Sequence, residues 1–245
     1  MTPFLAEIVG TGILLLLGNG VVANVVLNRT KGHDSGWIVI TAGWGMAVFV
    51  AVFMTQDISG AHLNPAVTLG LAAAGKFAWS QVPAYIAAQF IGAMIGTTLV
   101  WLTYRQHYEV TEDRDGVLAT FCTAPALRGP ISNLLTEAIG TFVLVFAVLY
   151  MVGPELSGGS LEGAKVGLGA LGALPVGLLV FAIGLSLGGP TGYAINPARD
   201  LGPRIMHAVL PISNKRDGDW GYSWIPVLGP FLGGLIAAGL YGVLG

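Results

Sequence analysis

The amino-acid sequence predicts an all-α membrane protein: six transmembrane helices and two re-entrant half-helices, arranged as an inverted repeat. Three observations carry that expectation. The chain is 54% hydrophobic and 10% charged, with a mean hydropathy of +0.74, whereas a soluble domain carries about 25% charge. Most of its surface must therefore face lipid. Six apolar runs reach the length of about 20 residues needed to cross a bilayer. The triplet Asn-Pro-Ala occurs twice, at 64–66 and 196–198, and each copy opens an apolar run too short to cross.

Taken in order, the first run, Pro3–Leu27, contains a single charge, Glu7, and no Lys or Arg precedes Arg29. It lacks the basic start of a secretory signal and is expected to remain as a permanent span. Trp37–Gln56 is the second. The segment from Asn64 to Lys76 then offers only ~18 Å of helix, a length that dips into a membrane without crossing it. Val82–Tyr104 is the third span and contains Gly92–Gly96, a small-residue pair suited to close helix packing. Residues 105–130 read as a long exposed loop. The second half repeats the order with Ile131–Val152, Gly167–Leu187, a half-helix over 196–207, and Ser223–Leu244, where Gly229–Gly233 is the matching small pair.

The halves also agree residue by residue. Leu5–Leu16 resembles Leu135–Phe146, setting Glu7 against Glu137 and Gly10-Thr11 against Gly140-Thr141, and Ile86–Gly96 resembles Pro226–Ile236. With three spans per half, the second half (131–245) enters from the opposite face to the first (1–104). The repeats are then related by an axis in the membrane plane.

Other classes are disfavoured. A net charge of −2 gives no footprint for nucleic acid. One cysteine, Cys122, and four scattered histidines give no disulfide and no metal-ligand pattern, and no cofactor is expected. An intramembrane enzyme needs a nucleophile and base, and His62 alone stands at depth. A secondary transporter shares inverted repeats and broken helices, but Glu7 and Glu137, one per repeat, read as structural acids.

The triplet has a helix-chemical meaning. Asn is a leading N-cap, and Pro suits the first helical turn because its missing N–H costs nothing there. Asn64-Pro65-Ala66 and Asn196-Pro197-Ala198 each start a half-helix, and inversion brings the two N-termini together at the midplane. The residues before them, Gly60, Ala61, His62 and Leu63, then Gly192, Ala194 and Ile195, are non-helical. Irregular backbone at that depth belongs where it is buried or lines a water-filled passage, so these are expected to present carbonyls to a pore. Glu7 and Glu137 are expected to accept the N–H groups of the two loops.

The stretches SGAHLNPAVT and TGYAINPARD, with the paired glutamates and six spans, resemble the aquaporin family (major intrinsic proteins) over essentially the whole chain. Asp200, after the second triplet's Arg199, resembles the glycerol-facilitator branch. The resemblance implies a passive channel for glycerol and other small uncharged solutes, with water, in a homotetramer in the lipid bilayer of the cell membrane, termini cytoplasmic. The alternative that the resemblance leaves open is a channel of the same fold preferring dihydroxyacetone, urea or lactic acid, or passing mainly water. It also implies a selectivity filter of Trp44, Gly184, Tyr193 and Arg199: two aromatic faces for the carbon side of a polyol, fixed guanidinium donors for its hydroxyls, and an open fourth side at Gly184. Tyr193 departs from the branch, where Phe is common. Charge bias opposes the implied orientation. Cytoplasmic termini leave Lys76 and Lys165 inside, with Arg29, Lys31, Arg105, Arg114, Arg128, Arg204, Lys215 and Arg216 outside, against the positive-inside rule.

Overall fold

The computed structural model describes residues 1–156, 158, 163, 164 and 166–244; Lys165, counted above in the charge comparison, lies outside the described residues. Regular structure is helical: α1 (Pro3–Val26), α2 (Trp37–Ser59), α3 (Pro65–Ala73), α4 (Val82–Val110), α5 (Arg114–Ala119), α6 (Pro130–Tyr150), α7 (Leu174–Leu187), α8 (Pro197–Val209) and α9 (Ile225–Leu244). Among the described residues, six helical stretches are long and apolar enough to cross a membrane: α1, α2, Trp79–Val110, α6, Gly169–Leu187 and α9. The third and fifth begin with a 3₁₀ turn, at Trp79–Gln81 and Gly169–Ala173. In the fifth, the glycine-rich sequence before Leu174 does not hold an α-helix from its start.

The longest helix pairs correspond in the two halves. α1 packs on α4 and α6 packs on α9, while α2 lies against α1 and α7. Both long pairs are in backbone contact. A Cβ at Gly96 would stand 2.2 Å from the Gly12 carbonyl oxygen, and one at Gly233 would stand 2.1 Å from that of Ala138. Neither position can carry a side chain, and lipid supplies no hydrophobic drive to replace such close packing. The short helices α3 and α8 fill the space between the two bundles, each touching α4 and α9.

Residues 105–130 are only in part the exposed loop expected. α4 continues to Val110, α5 follows, and Val117, Leu118, Phe121 and Cys122 are buried with Ala23, Leu27, Val100, Tyr108, Leu210 and Ile212 in an apolar cluster of their own. Glu109, Glu112, Asp113 and Asp115 are exposed and sit close together, which gives this stretch its polar look. The apolar residues after them find partners only in elements distant in sequence. Asp113 also caps α5, its Oδ1 accepting from the Asp115 N–H at 3.0 Å.

Candidate pore

Each half-helix is entered through a strained loop. Gly60 ends α2 at φ +81°, and Ala61 and Leu63 follow at φ 50° and 52°; in the second copy Gly192 lies at +77°, Tyr193 at 38° and Ile195 at 43°. Non-glycine residues rarely occupy this left-handed region, at a cost of about 1–3 kcal/mol each. Buried acids offset it. Glu7 on α1 accepts the N–H groups of His62 (3.0 Å) and Leu63 (2.8 Å), and Glu137 on α6 accepts those of Ala194 (3.0 Å) and Ile195 (2.8 Å). Hydrogen bonds to a charged group contribute about 1.5–3 kcal/mol each, comparable to the strain they hold.

The two half-helices are tied end to end. Asn64 Oδ1 accepts from Ala66 N–H (2.8 Å) while its Nδ2 donates to the Ile195 carbonyl (2.8 Å). Asn196 mirrors it: Oδ1 accepts from Ala198 (3.0 Å) and Arg199 (3.1 Å), and Nδ2 donates to the Leu63 carbonyl (2.8 Å). Each amide therefore spends one N–H on the opposite loop and keeps one. Pro65, Ala66, Pro197 and Ala198 are buried behind the Asn residues as the first helical turns.

A cavity of about 140 Å³ runs past this junction, bordered by Gly60, Ala61, His62, Leu63, Asn64, Tyr193, Ala194, Ile195, Asn196, Trp44 and Arg199, and by Val48, Val52, Val176 and Val180. The guanidinium carbon of Arg199 sits 4.2 Å from the centre of the Trp44 ring. Trp44, Tyr193 and Arg199 are only 4%, 5% and 6% exposed, yet Trp44 Nε1, Tyr193 Oη and Arg199 Nη1 have no hydrogen-bond partner among the described residues. Buried polar atoms are nearly always paired, and three unpaired ones border one cavity.

The signature of the family described as major intrinsic protein (MIP) matches residues 1–241. The chain belongs to the major intrinsic protein family. It is 57% identical over 98% of both chains to a probable glycerol uptake facilitator protein of Thermotoga maritima. It is 54% identical to a glycerol uptake facilitator protein of Streptococcus pneumoniae, over 97% of each chain. Among solved structures it resembles the aquaglyceroporin of Plasmodium falciparum, with a TM-score of 0.81, 30% identity, and 98% and 95% of the two chains covered.

Two sites in this major intrinsic protein differ from expectation. Gly184 is not an open side of the cavity. A Cβ there would stand 2.7 Å from Tyr193 Cζ and 2.9 Å from Oη, so the tyrosine ring occupies the space the glycine leaves. Trp37 completes this wall, its ring edge-on to Tyr193 at 5.8 Å and its Nε1 donating to the Gly184 carbonyl. Spacing along the chain cannot reveal a ring folded back from another loop. Gly192 likewise does not border the cavity; Thr123 closes the space beside it.

Several residues escaped the sequence reading. Gln89 donates to Glu7 (2.8 Å) and Thr68 (2.9 Å), and Ser59 donates to Glu7 (2.6 Å). Thr68 donates its own hydrogen to the Asn64 carbonyl, so the His62 Nδ1 found 3.1 Å from that hydroxyl carries the proton of the pair. On the second half-helix Asp200 and Arg204 form a fully buried ion pair at 2.7 Å. Their i, i+4 spacing on a helix was a usable signal; Gln89 and Ser59 gave none.

Proposed function

We propose that this protein is a passive channel for glycerol and other small uncharged solutes, with water, that excludes protons and ions. One observation carries the reading: Trp44, Tyr193 and Arg199, each with a polar atom that has no hydrogen-bond partner among the described residues, line a cavity together with apolar side chains such as Val48, Val52, Val176 and Val180. A polyol has hydroxyl oxygens along one edge and carbon along the other, and suits a lining that offers both kinds of contact. Carbonyls of the two unwound loops take its hydroxyl hydrogens.

Ion exclusion rests on charge. Each half-helix places about half a positive charge at its N-terminus, and the two termini meet beside Asn64 and Asn196. The free amide N–H of each Asn holds a passing oxygen, turning a bound water's hydrogens outward and interrupting a proton wire. Arg199 adds a fixed positive charge at the filter.

The same reading places the protein in the cell membrane as a homotetramer with cytoplasmic termini. It also makes the halves inverted repeats, with Trp44, Tyr193 and Arg199 on the outer side. The glycerol-facilitator names of its relatives and the aquaglyceroporin likeness support glycerol over water as the principal solute.

The test is stopped-flow swelling of proteoliposomes with glycerol, dihydroxyacetone, urea, lactic acid and water. Glycerol permeability well above that of empty liposomes, insensitive to an imposed proton or sodium gradient, is expected. Uphill glycerol accumulation under such a gradient would instead identify a secondary transporter.

A further inference from the structure

The channel reading leaves a charged cluster beside the filter unassigned. Arg204 is completely buried and makes five hydrogen bonds: two to Asp200 Oδ1 (3.0 and 2.7 Å), one to the Thr123 carbonyl (2.9 Å), and one each to the Gly218 and Asp219 carbonyls. The other Asp200 oxygen, Oδ2, accepts both the N–H and the hydroxyl of Thr123, each at 2.7 Å. Thr123 is thus held at its nitrogen, its carbonyl and its side chain by one ion pair. A buried ion pair gains little stability over well-packed apolar residues of equal volume, so its value lies in the geometry it imposes.

That geometry leads to the filter. Thr123 lies beside Gly192, where a Cβ would meet Thr123 Cγ2 at 3.3 Å and Cβ at 3.4 Å. Gly192 begins the left-handed turn that carries Tyr193, and Asp200 directly follows Arg199. A second tie lies just outside, where the Ala126 N–H donates to the Pro190 carbonyl at 2.9 Å. The connecting segment is therefore a backing wall behind the strained turn.

We infer that Thr123, Asp200 and Arg204 are positioning residues for the selectivity filter: the ion pair fixes Thr123 against Gly192 and so fixes how far the Tyr193 ring stands into the cavity. The inference rests on the channel reading above and concerns which solutes pass rather than whether any do. Releasing Thr123 lets the Tyr193 turn give way, so larger polyols gain relative to glycerol.

The experiment compares water, glycerol and erythritol permeability of the full chain in proteoliposomes at matched protein content. Thr123→Val keeps the shape and removes the hydroxyl, whereas Asp200→Asn removes the charge. Thr123→Val is expected to raise the erythritol-to-glycerol ratio about threefold, the scale of one buried hydrogen bond. The double variant should move it no further than the larger single one, because both act through one contact. If Asp200→Asn does not fold, Thr123→Val alone decides. A variant that lowers every solute in equal proportion, or leaves the ratio unchanged, overturns the inference while the channel reading stands. A wild-type protein that passes water but no glycerol brings down both.

Discussion

The two half-helices share a triplet, a cap and a supporting acid, yet they are anchored by different chemistry. α3 sits in a neutral network: Gln89, Ser59, Thr68 and His62 surround Glu7, and no residue of α3 is charged. α8 carries Arg199, Asp200 and Arg204, and its far end is held by Lys215. The shared part is the junction where Asn64 and Asn196 reach each other's loops. The differing part lies on the filter side, where a guanidinium must stay charged and directed beside Trp44. On the proposed channel reading, what the two copies share forms the passage and what differs forms the filter.

The sharpest way to break this comparison is to remove one anchor from each copy. Arg204→Met leaves Asp200 buried without its partner and is expected to cost about 3–5 kcal/mol. Gln89→Leu removes neutral donors while Glu7 keeps Ser59, His62 and Leu63, and is expected to cost about 1 kcal/mol. Thermal unfolding in detergent measures both. Equal losses would mean that the charged anchor differs from the neutral one in composition only.

Next come the two acids. Glu→Gln at either position puts an NH₂ where an oxygen accepted, which strands a loop N–H at about 1–3 kcal/mol. At Glu7 the damage can be relieved, because Gln89 Oε1 has no partner and can take the new donor. The Glu137 carboxylate accepts the N–H groups of Ala194 and Ile195, and the side chain beside it is the Thr191 hydroxyl, a donor itself and a poorer relief for a new NH₂ than an amide oxygen. Glu137→Gln should therefore lower folding yield and unfolding temperature more than Glu7→Gln does. Mutants of full stability that have lost transport alone would instead point to a proton relay.

What the sequence disclosed, and what it hid, follows the same division. Asn-Pro at a helix start, a run too short to cross and one acid per half are local signals, and they led to α3, α8, Glu7 and Glu137. The segment 105–130 misled because its charges cluster over 109–115 while Val117, Leu118 and Phe121 pack on residues far away in the chain. Gly184 misled because an absent side chain reads as open space until the Tyr193 ring is placed over it. Thr123 carried no signal at all: its role depends on Asp200, Arg204 and Gly192, and only the fold assembles them.

A third prediction makes the copies more alike. Val67 occupies in the first triplet's helix the place that Arg199 holds in the second. Arg199→Val removes the filter's guanidinium and should leave solute permeation measurable while raising proton or cation leak at least about tenfold, or roughly 1.4 kcal/mol of barrier. A pH-sensitive dye inside proteoliposomes reads this leak. An unchanged leak would assign exclusion to the paired helix ends alone.

The smallest effect concerns the far ends of the half-helices. Lys215 Nζ donates to the carbonyls of His207 (2.7 Å), Ala208 (2.8 Å) and Leu210 (2.7 Å), which are among the last acceptors α8 leaves unpaired. A cation there also meets the negative end of the helix dipole. Lys76, just past the end of α3, makes no such cap; its ammonium stands 5.5 Å from the centre of the Tyr241 ring. Lys215→Met should cost about 1 kcal/mol, lowering the unfolding midpoint by about 2–4 °C, and Lys76→Met should cost less. Because Lys215 is half-exposed, salt screens its charge, so the gap between wild type and Lys215→Met should narrow as ionic strength rises. A gap independent of salt would mean that the lysine acts through packing of its aliphatic stem, and that α8 is held at its outer end by contact instead of charge.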